Sequence, residues 1–204
     1  AGTIGHPSTQ GLTATTGTFT GNVVIPNGGN IGSAGDTDAI SIASNGVVTF
    51  SQTPVGDNAG AIVQVVNVVT TDETTTSTNI PHDDTIPQNN EGGEMFTLAI
   101  TPTSASNKLL ILVNFQGACA NAYEELSVFL FQDSTANAIA GASERQATQT
   151  QSTMSVSYQH FMTAGTTSAT TFKVRAGASS GNMTMNDYFS TGNTSGMTIM
   201  EIAV

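Results

Sequence analysis

The stretch Lys108-Leu109-Leu110-Ile111-Leu112-Val113-Asn114-Phe115 is a near-continuous aliphatic run bounded by polar residues. At this length, and without sustained apolar spacing at three and four residues, it reads as a strand covered on both faces. A second run, Leu126-Ser127-Val128-Phe129-Leu130-Phe131, has the same character. Outward from these lie segments with different signatures. Ala61–Thr70 is dense in β-branched residues, and Met95–Thr101 alternates loosely. Met154–Met162 and Thr170–Ala176 alternate cleanly, so each should keep one face wet. Thr198-Ile199-Met200-Glu201-Ile202-Ala203-Val204 closes the chain as a strand. Helical patterning is confined to a weak hint around Ala136–Ala142. About eight strands with turns every dozen residues describe a β-sandwich or jelly roll.

Residues 1–60 differ. They hold short apolar tokens such as Phe19, Val23-Val24-Ile25, Ile40-Ser41-Ile42 and Val47-Val48-Thr49-Phe50, separated by turn formers including Asn27-Gly28-Gly29 and Asn45-Gly46. No token is long enough to bury a face alone, and together they cannot build a core. Short strands of this kind become stable when copies from several chains wrap round one axis. The sequence therefore predicts an extended, short-stranded trimeric shaft over 1–60 and a C-terminal head over 61–204. The boundary falls in Thr53-Pro54-Val55-Gly56-Asp57-Asn58-Ala59-Gly60, rich in turn formers. The chain opens on Ala1 rather than Met, which reads as a fragment or a processed form.

Composition narrows the function. Of 204 residues only 9% are charged, with four basic against fifteen acidic and a formal net charge of −11. Four scattered cations cannot lay a footprint along phosphates, which argues against nucleic-acid partners. No stretch approaches the ~20 apolar residues of a membrane span, so no membrane insertion is expected. Cys119 is alone, which leaves no internal disulfide and no cysteine-based zinc site, and it reads as a small buried hydrophobe. A disulfide-free extracellular protein would draw stability from oligomerisation.

Candidate chemistry is sparse. His6 lies in the N-terminal tail, and His160 sits on an alternating strand. His82 belongs to Ile80-Pro81-His82-Asp83-Asp84-Thr85-Ile86-Pro87, where a His meets carboxylates. Neither zinc-helix nor calcium-loop spacing is present, so this segment reads as a loop with Asx turns and no metal is expected. There is no Gly-x-Ser-x-Gly elbow and no phosphate loop, so neither a catalytic residue nor a cofactor is assigned. The adjacent pairs Asp83-Asp84 and Glu124-Glu125 would point to opposite faces of a strand rather than share a cleft. Tyr123 and Tyr188, with Asp187 beside the latter, sit in polar loop contexts. They are candidate glycan contacts, because ring faces stack on pyranose C–H groups while amides and carboxylates bond hydroxyls. The alternative is that these rings cap the sandwich or pack between subunits.

Residues 61–204 resemble the C-terminal head domains of phage fibres and other virion appendages, which are similar to the trimeric jelly roll of the tumour-necrosis-factor superfamily. The carrying features are Ile80–Pro87 followed by Glu91-Gly92-Gly93-Glu94, then Thr101-Pro102-Thr103-Ser104-Ala105-Ser106-Asn107-Lys108-Leu109-Leu110-Ile111, Thr171-Phe172-Lys173-Val174-Arg175-Ala176-Gly177, and the closing Thr198-Ile199-Met200-Glu201-Ile202. The segment from Gly32–Ile40 through Val48–Gln52 resembles phage fibre-shaft sequence. The resemblance implies a homotrimer exposed on a virion, with Ile199, Met200 and Ile202 near a threefold axis. It supplies no catalytic or receptor residue. Two functions compete: a non-enzymatic tail fibre or spike tip that recognises a host surface glycan or outer-membrane protein, and a capsid decoration or head-fibre protein. In either case the N-terminal region would attach to other virion proteins. The short shaft favours decoration, the loop aromatics favour the tail fibre, and an enzyme is third.

Overall fold

The computed structural model describes residues 28–33, 35–50, 59–146, 152–187 and 192–204. The chain divides into two compact units, Ala1–Gly56 and Asp57–Val204. The described part of the first unit is an antiparallel sheet of β1 (Asn30–Ser33), β2 (Asp36–Ile42) and β3 (Val48–Phe50), in that order. The β2–β3 hairpin turns on Asn45-Gly46: the Val47 amide donates to Asn45 Oδ1 at 3.1 Å and Gly46 takes a φ of +83°. Ile31, Val47, Val48 and Phe50 are all exposed, so this sheet buries little on its own. The predicted tokens before residue 28 lie outside the described residues.

The second unit is an all-β sandwich of jelly-roll type. Its strands are β4 (Ile62–Thr70), β5 (Thr74–Thr76), β6 (Gly93–Ile100), β7 (Lys108–Cys119), β8 (Glu125–Gln132), β9 (Ala140–Arg145), β10 (Thr153–Thr163), β11 (Thr170–Ala178), β12 (Met183–Met185) and β13 (Ser195–Ile202). One sheet runs β4-β13-β7-β10 and the other β6-β11-β8-β9. Successive strands mostly cross between the layers, which is the jelly-roll path. The long β7 pairs along one edge with β13 and then with β12, while β10 occupies its other edge for eleven consecutive pairs.

The core lies between the layers. From the first sheet come Leu109, Ile111, Val113 and Phe115, with Met154, Val156, Met197 and Ile199; from the second come Phe96, Leu126, Val128, Leu130, Phe172 and Val174. The Phe96 and Phe115 rings stack at 6.4 Å between centroids. Strict alternation along β7 sends Leu110 and Leu112 to the opposite face, where they are only half-buried. This corrects one expectation for the closing strand. Ile199 is fully buried in the sandwich core and cannot line an axis, whereas its neighbours Met200 and Ile202 face outward, because side chains alternate in a strand.

A second correction concerns 136–142. The helical hint is absent from the structure: Ala140–Arg145 is strand β9, paired to β8 from Glu125↔Arg145 to Leu130↔Ala140. Alanine's helix propensity yields here to an available sheet edge.

Candidate functional site

Two surfaces of the second unit stand out, one on each sheet. The first is the outward face of β4-β13-β7-β10, whose residues the strand register aligns in rows. Val65, Met200, Leu110 and Phe161 form one row across all four strands. Ile62, Ile202, Lys108 and Thr163 form the row beside it. On the other side come Asn67, Thr198, Leu112 and Gln159, then Val69, Gly196, Asn114 and Ser157. Val65 is 55% exposed, Ile62 57% and Phe161 58%. Within these rows Lys108 is the only charged residue, at the border, where its Nζ donates to Thr163 Oγ1 at 2.7 Å. A shallow groove of about 640 Å³ crosses the polar rows between Asn67, Leu112, Asn114 and Gln159. A protein carrying a net charge of −11 thus places no acidic side chain in these rows.

The second surface is the outward face of β6-β11-β8-β9, crossed by the β5–β6 connection. This connection lies directly on β11. A Cβ at Gly177 would stand 2.7 Å from the Thr78 carbonyl oxygen, and one at Gly92 (φ +63°) would stand 2.9 Å from the Ala176 carbonyl oxygen. Arg175 pins the crossing: its Nε donates to the Glu91 carbonyl at 2.9 Å and its Nη2 to that of Gly92 at 2.7 Å. Its Nη1 lies 3.5 Å from the Glu94 carboxylate. Farther back, Asp83 closes an Asx turn by accepting from the Thr85 amide at 3.1 Å and from Thr85 Oγ1 at 2.6 Å. Those hydrogen bonds hold the exposed Asp83 carboxyl below its ordinary value.

The turn delivers His82 to the start of β8, with Nε2 3.3 Å from Glu125 Oε2. The other Glu125 oxygen accepts from Ser143 on β9. These groups rim an open hollow of about 340 Å³ that also includes Asp84, Ser127 and Phe129. Phe129 pairs with Gly141, and a Cβ at Gly141 would collide with the Phe129 ring, so the ring lies flat over that glycine. No group of three or more His, Cys, Asp or Glu side chains able to hold a metal ion occurs among the described residues.

Glu124, in the β7–β8 loop, and Glu125, the first residue of β8, go to different surroundings. Glu124 is buried and accepts from Ser179 Oγ at 2.6 Å, from the Ser180 amide at 2.7 Å and from the Ser180 hydroxyl, tying the β7–β8 and β11–β12 loops together. Burial opposes its ionisation, but these serine hydrogen bonds outweigh burial and lower its pKa. Cys119 is buried, and burial with the nearby Glu124 charge pushes its thiol up to about 12. His160 lies half-buried on β10, and burial lowers its pKa.

Of the glycan-contact candidates, Tyr123 and Asp187 are placed at opposite ends of β12. Tyr123 is 64% exposed in the β7–β8 loop at a φ of +65°. That loop meets the start of β12 through the bond from the Ala120 amide to the Asn182 carbonyl. Asp187 follows the far end of β12, is half-buried, and its carbonyl accepts from Asn193 Nδ2 at 2.7 Å. Tyr188 lies outside the described residues. The groups that do converge, His82, Glu125 and Phe129, come from a loop and a strand far apart in sequence. Only the carboxylates beside His82 hinted at them.

No family model and no curated protein matches the chain. Among solved structures, it is similar to the sugar-binding EclA C-terminal domain, at 19% identity over 72% of this chain and 86% of that one, with a TM-score of 0.35. It is also similar to Eiger TNF from S. frugiperda, at 10% identity over 68% of this chain and 93% of that one, with a TM-score of 0.42. A third is the VP2 subviral particle of infectious bursal disease virus, at 12% identity over 76% of this chain and 40% of that one, with a TM-score of 0.36. At these scores none of them assigns a function to this chain.

Proposed function

We propose that the protein is a non-enzymatic, homotrimeric virion component, a tail fibre or spike tip whose head adheres to a host surface. The observation that carries this reading is the outward face of β4-β13-β7-β10. Its row Val65-Met200-Leu110-Phe161, exposed at Val65 and Phe161 and half-buried between them, is apolar across four strands and is flanked by Ile62 and Ile202. Contiguous apolar surface of this kind marks a contact face. Identical copies are the occupants the charge pattern suits, because the acidic groups that would repel a second acidic chain are kept out of these rows. The sequence resemblance to trimeric jelly-roll heads adds the threefold order.

The first unit supports the same reading independently. Ile31, Val47, Val48 and Phe50 are exposed on a three-stranded sheet, the condition that copies wrapped round a shared axis relieve. Labelling the protein on intact virions and imaging by electron microscopy tests its place. Label at the tail tip supports the fibre reading, label over the shell transfers the protein to capsid decoration, and no label on virions defeats both.

A further inference from the structure

The hollow on the second sheet has the parts of a saccharide site. A sugar ring presents one face of C–H groups and a perimeter of hydroxyls, so its receptor pairs an aromatic face with hydrogen-bonding groups at the rim. Phe129 lies flat over Gly141 and is half-buried, leaving ring surface toward the hollow. Around it stand the imidazole of His82, the carboxylates of Asp83 and Glu125 and the hydroxyl of Ser143. The rim is held before any ligand arrives: Asp83 is fixed by Thr85, and Glu125 is held between His82 and Ser143. Preorganised polar groups of this kind lower the ordering cost of binding.

We propose that this hollow binds a neutral pyranose of a surface glycan, stacked on Phe129 with its hydroxyls bonded by Asp83, Glu125 and His82. The acidic rim, completed by Asp84, repels sialic and uronic acids, so the site selects uncharged sugars. The proposal gives a ligand class and a place to the adhesion reading and rests on it for its biological purpose. It moves glycan contact away from Tyr123 and Asp187.

Saturation-transfer NMR on the full chain with a panel of neutral pyranosides (methyl glucosides, galactosides and mannosides, and N-acetylglucosamine), beside sialyllactose, tests it. Transfer to ring C–H protons of at least one neutral sugar is expected, with none to the sialic acid residue. Phe129→Ala should weaken that binding about tenfold. Ser143→Trp, at an exposed β9 position that leaves the core untouched, should block the hollow and abolish it. Silence from every neutral sugar, or signals unchanged in both variants, overturns the proposal; equal binding of the sialic acid residue overturns its selectivity. Host-cell binding by the same proteins separates the two readings. If both variants still adhere to cells, the adhesion reading stands and this site fails. If sugars bind but cells do not, the site stands and the adhesion reading fails.

Discussion

Glu201 shows what a single residue does in this fold. It is buried on the inward side of β13, where an acid would ordinarily be excluded. Its Oε1 accepts from the Thr103 amide and hydroxyl, each at 2.8 Å, and from Asn107 Nδ2 at 2.7 Å, while Oε2 accepts from Gln64 Nε2 at 2.8 Å. One carboxylate therefore organises the Thr101–Lys108 connection. Burial would raise its pKa, but the hydrogen bonds from Asn107, Gln64 and Thr103 prevail and hold it at about 2. The unfolded carboxyl titrates near 4.5, so protons bind the unfolded chain first, and the stabilisation is lost as pH falls from 4.5 toward about 2. Glu201→Gln should lower stability at neutral pH by about 2 kcal/mol and flatten that acid limb, as urea titrations across pH would show. Gly177→Ala should cost about 1–3 kcal/mol in thermal unfolding, since its methyl would press on the Thr78 carbonyl. The distinctive Thr-Pro-Thr-Ser-Ala-Ser-Asn-Lys wording was visible in the sequence, but its partner Glu201 lies about ninety-five residues away and no local pattern joins them.

At the level of elements, the strong strands were legible because their residues are individually decisive. The runs at 108–115 and 126–131 became β7 and β8, and the alternating segments became β10 and β11. The short strands were not legible. Thr74–Thr76, Met183–Met185 and Ala140–Arg145 carry little strand signal of their own and form because a neighbouring edge needs partners. The same non-local pairing hid the candidate site. His82 and its carboxylates could be seen in one segment, but the Phe129↔Gly141 register that lays a ring beside them follows only from the folded sheet. Register also explains why β7 reads as apolar on both faces: Leu109 and Ile111 fill the sandwich, while Leu110 and Leu112 serve the outward rows. Phe161→Asp, at a position 58% exposed, should leave circular dichroism unchanged yet dissociate the proposed trimer in sedimentation, because it puts a charge into the apolar row on every copy. Unaltered sedimentation would place the contact elsewhere.

On the scale of the whole molecule, low charge and exposed apolar strands become one property. In the proposed trimer, few ions suit a surface that meets copies of itself, and fifteen acids against four bases would keep finished assemblies apart. Both units expose apolar β surface that a monomer would leave in water. The mass of the chain in native buffer, measured by light scattering coupled to gel filtration, is therefore the decisive measurement for the proposed trimer. One chain weighs 20.9 kDa. A trimer gives a single species at three times that mass, and a stable monomer at the chain mass would contradict it.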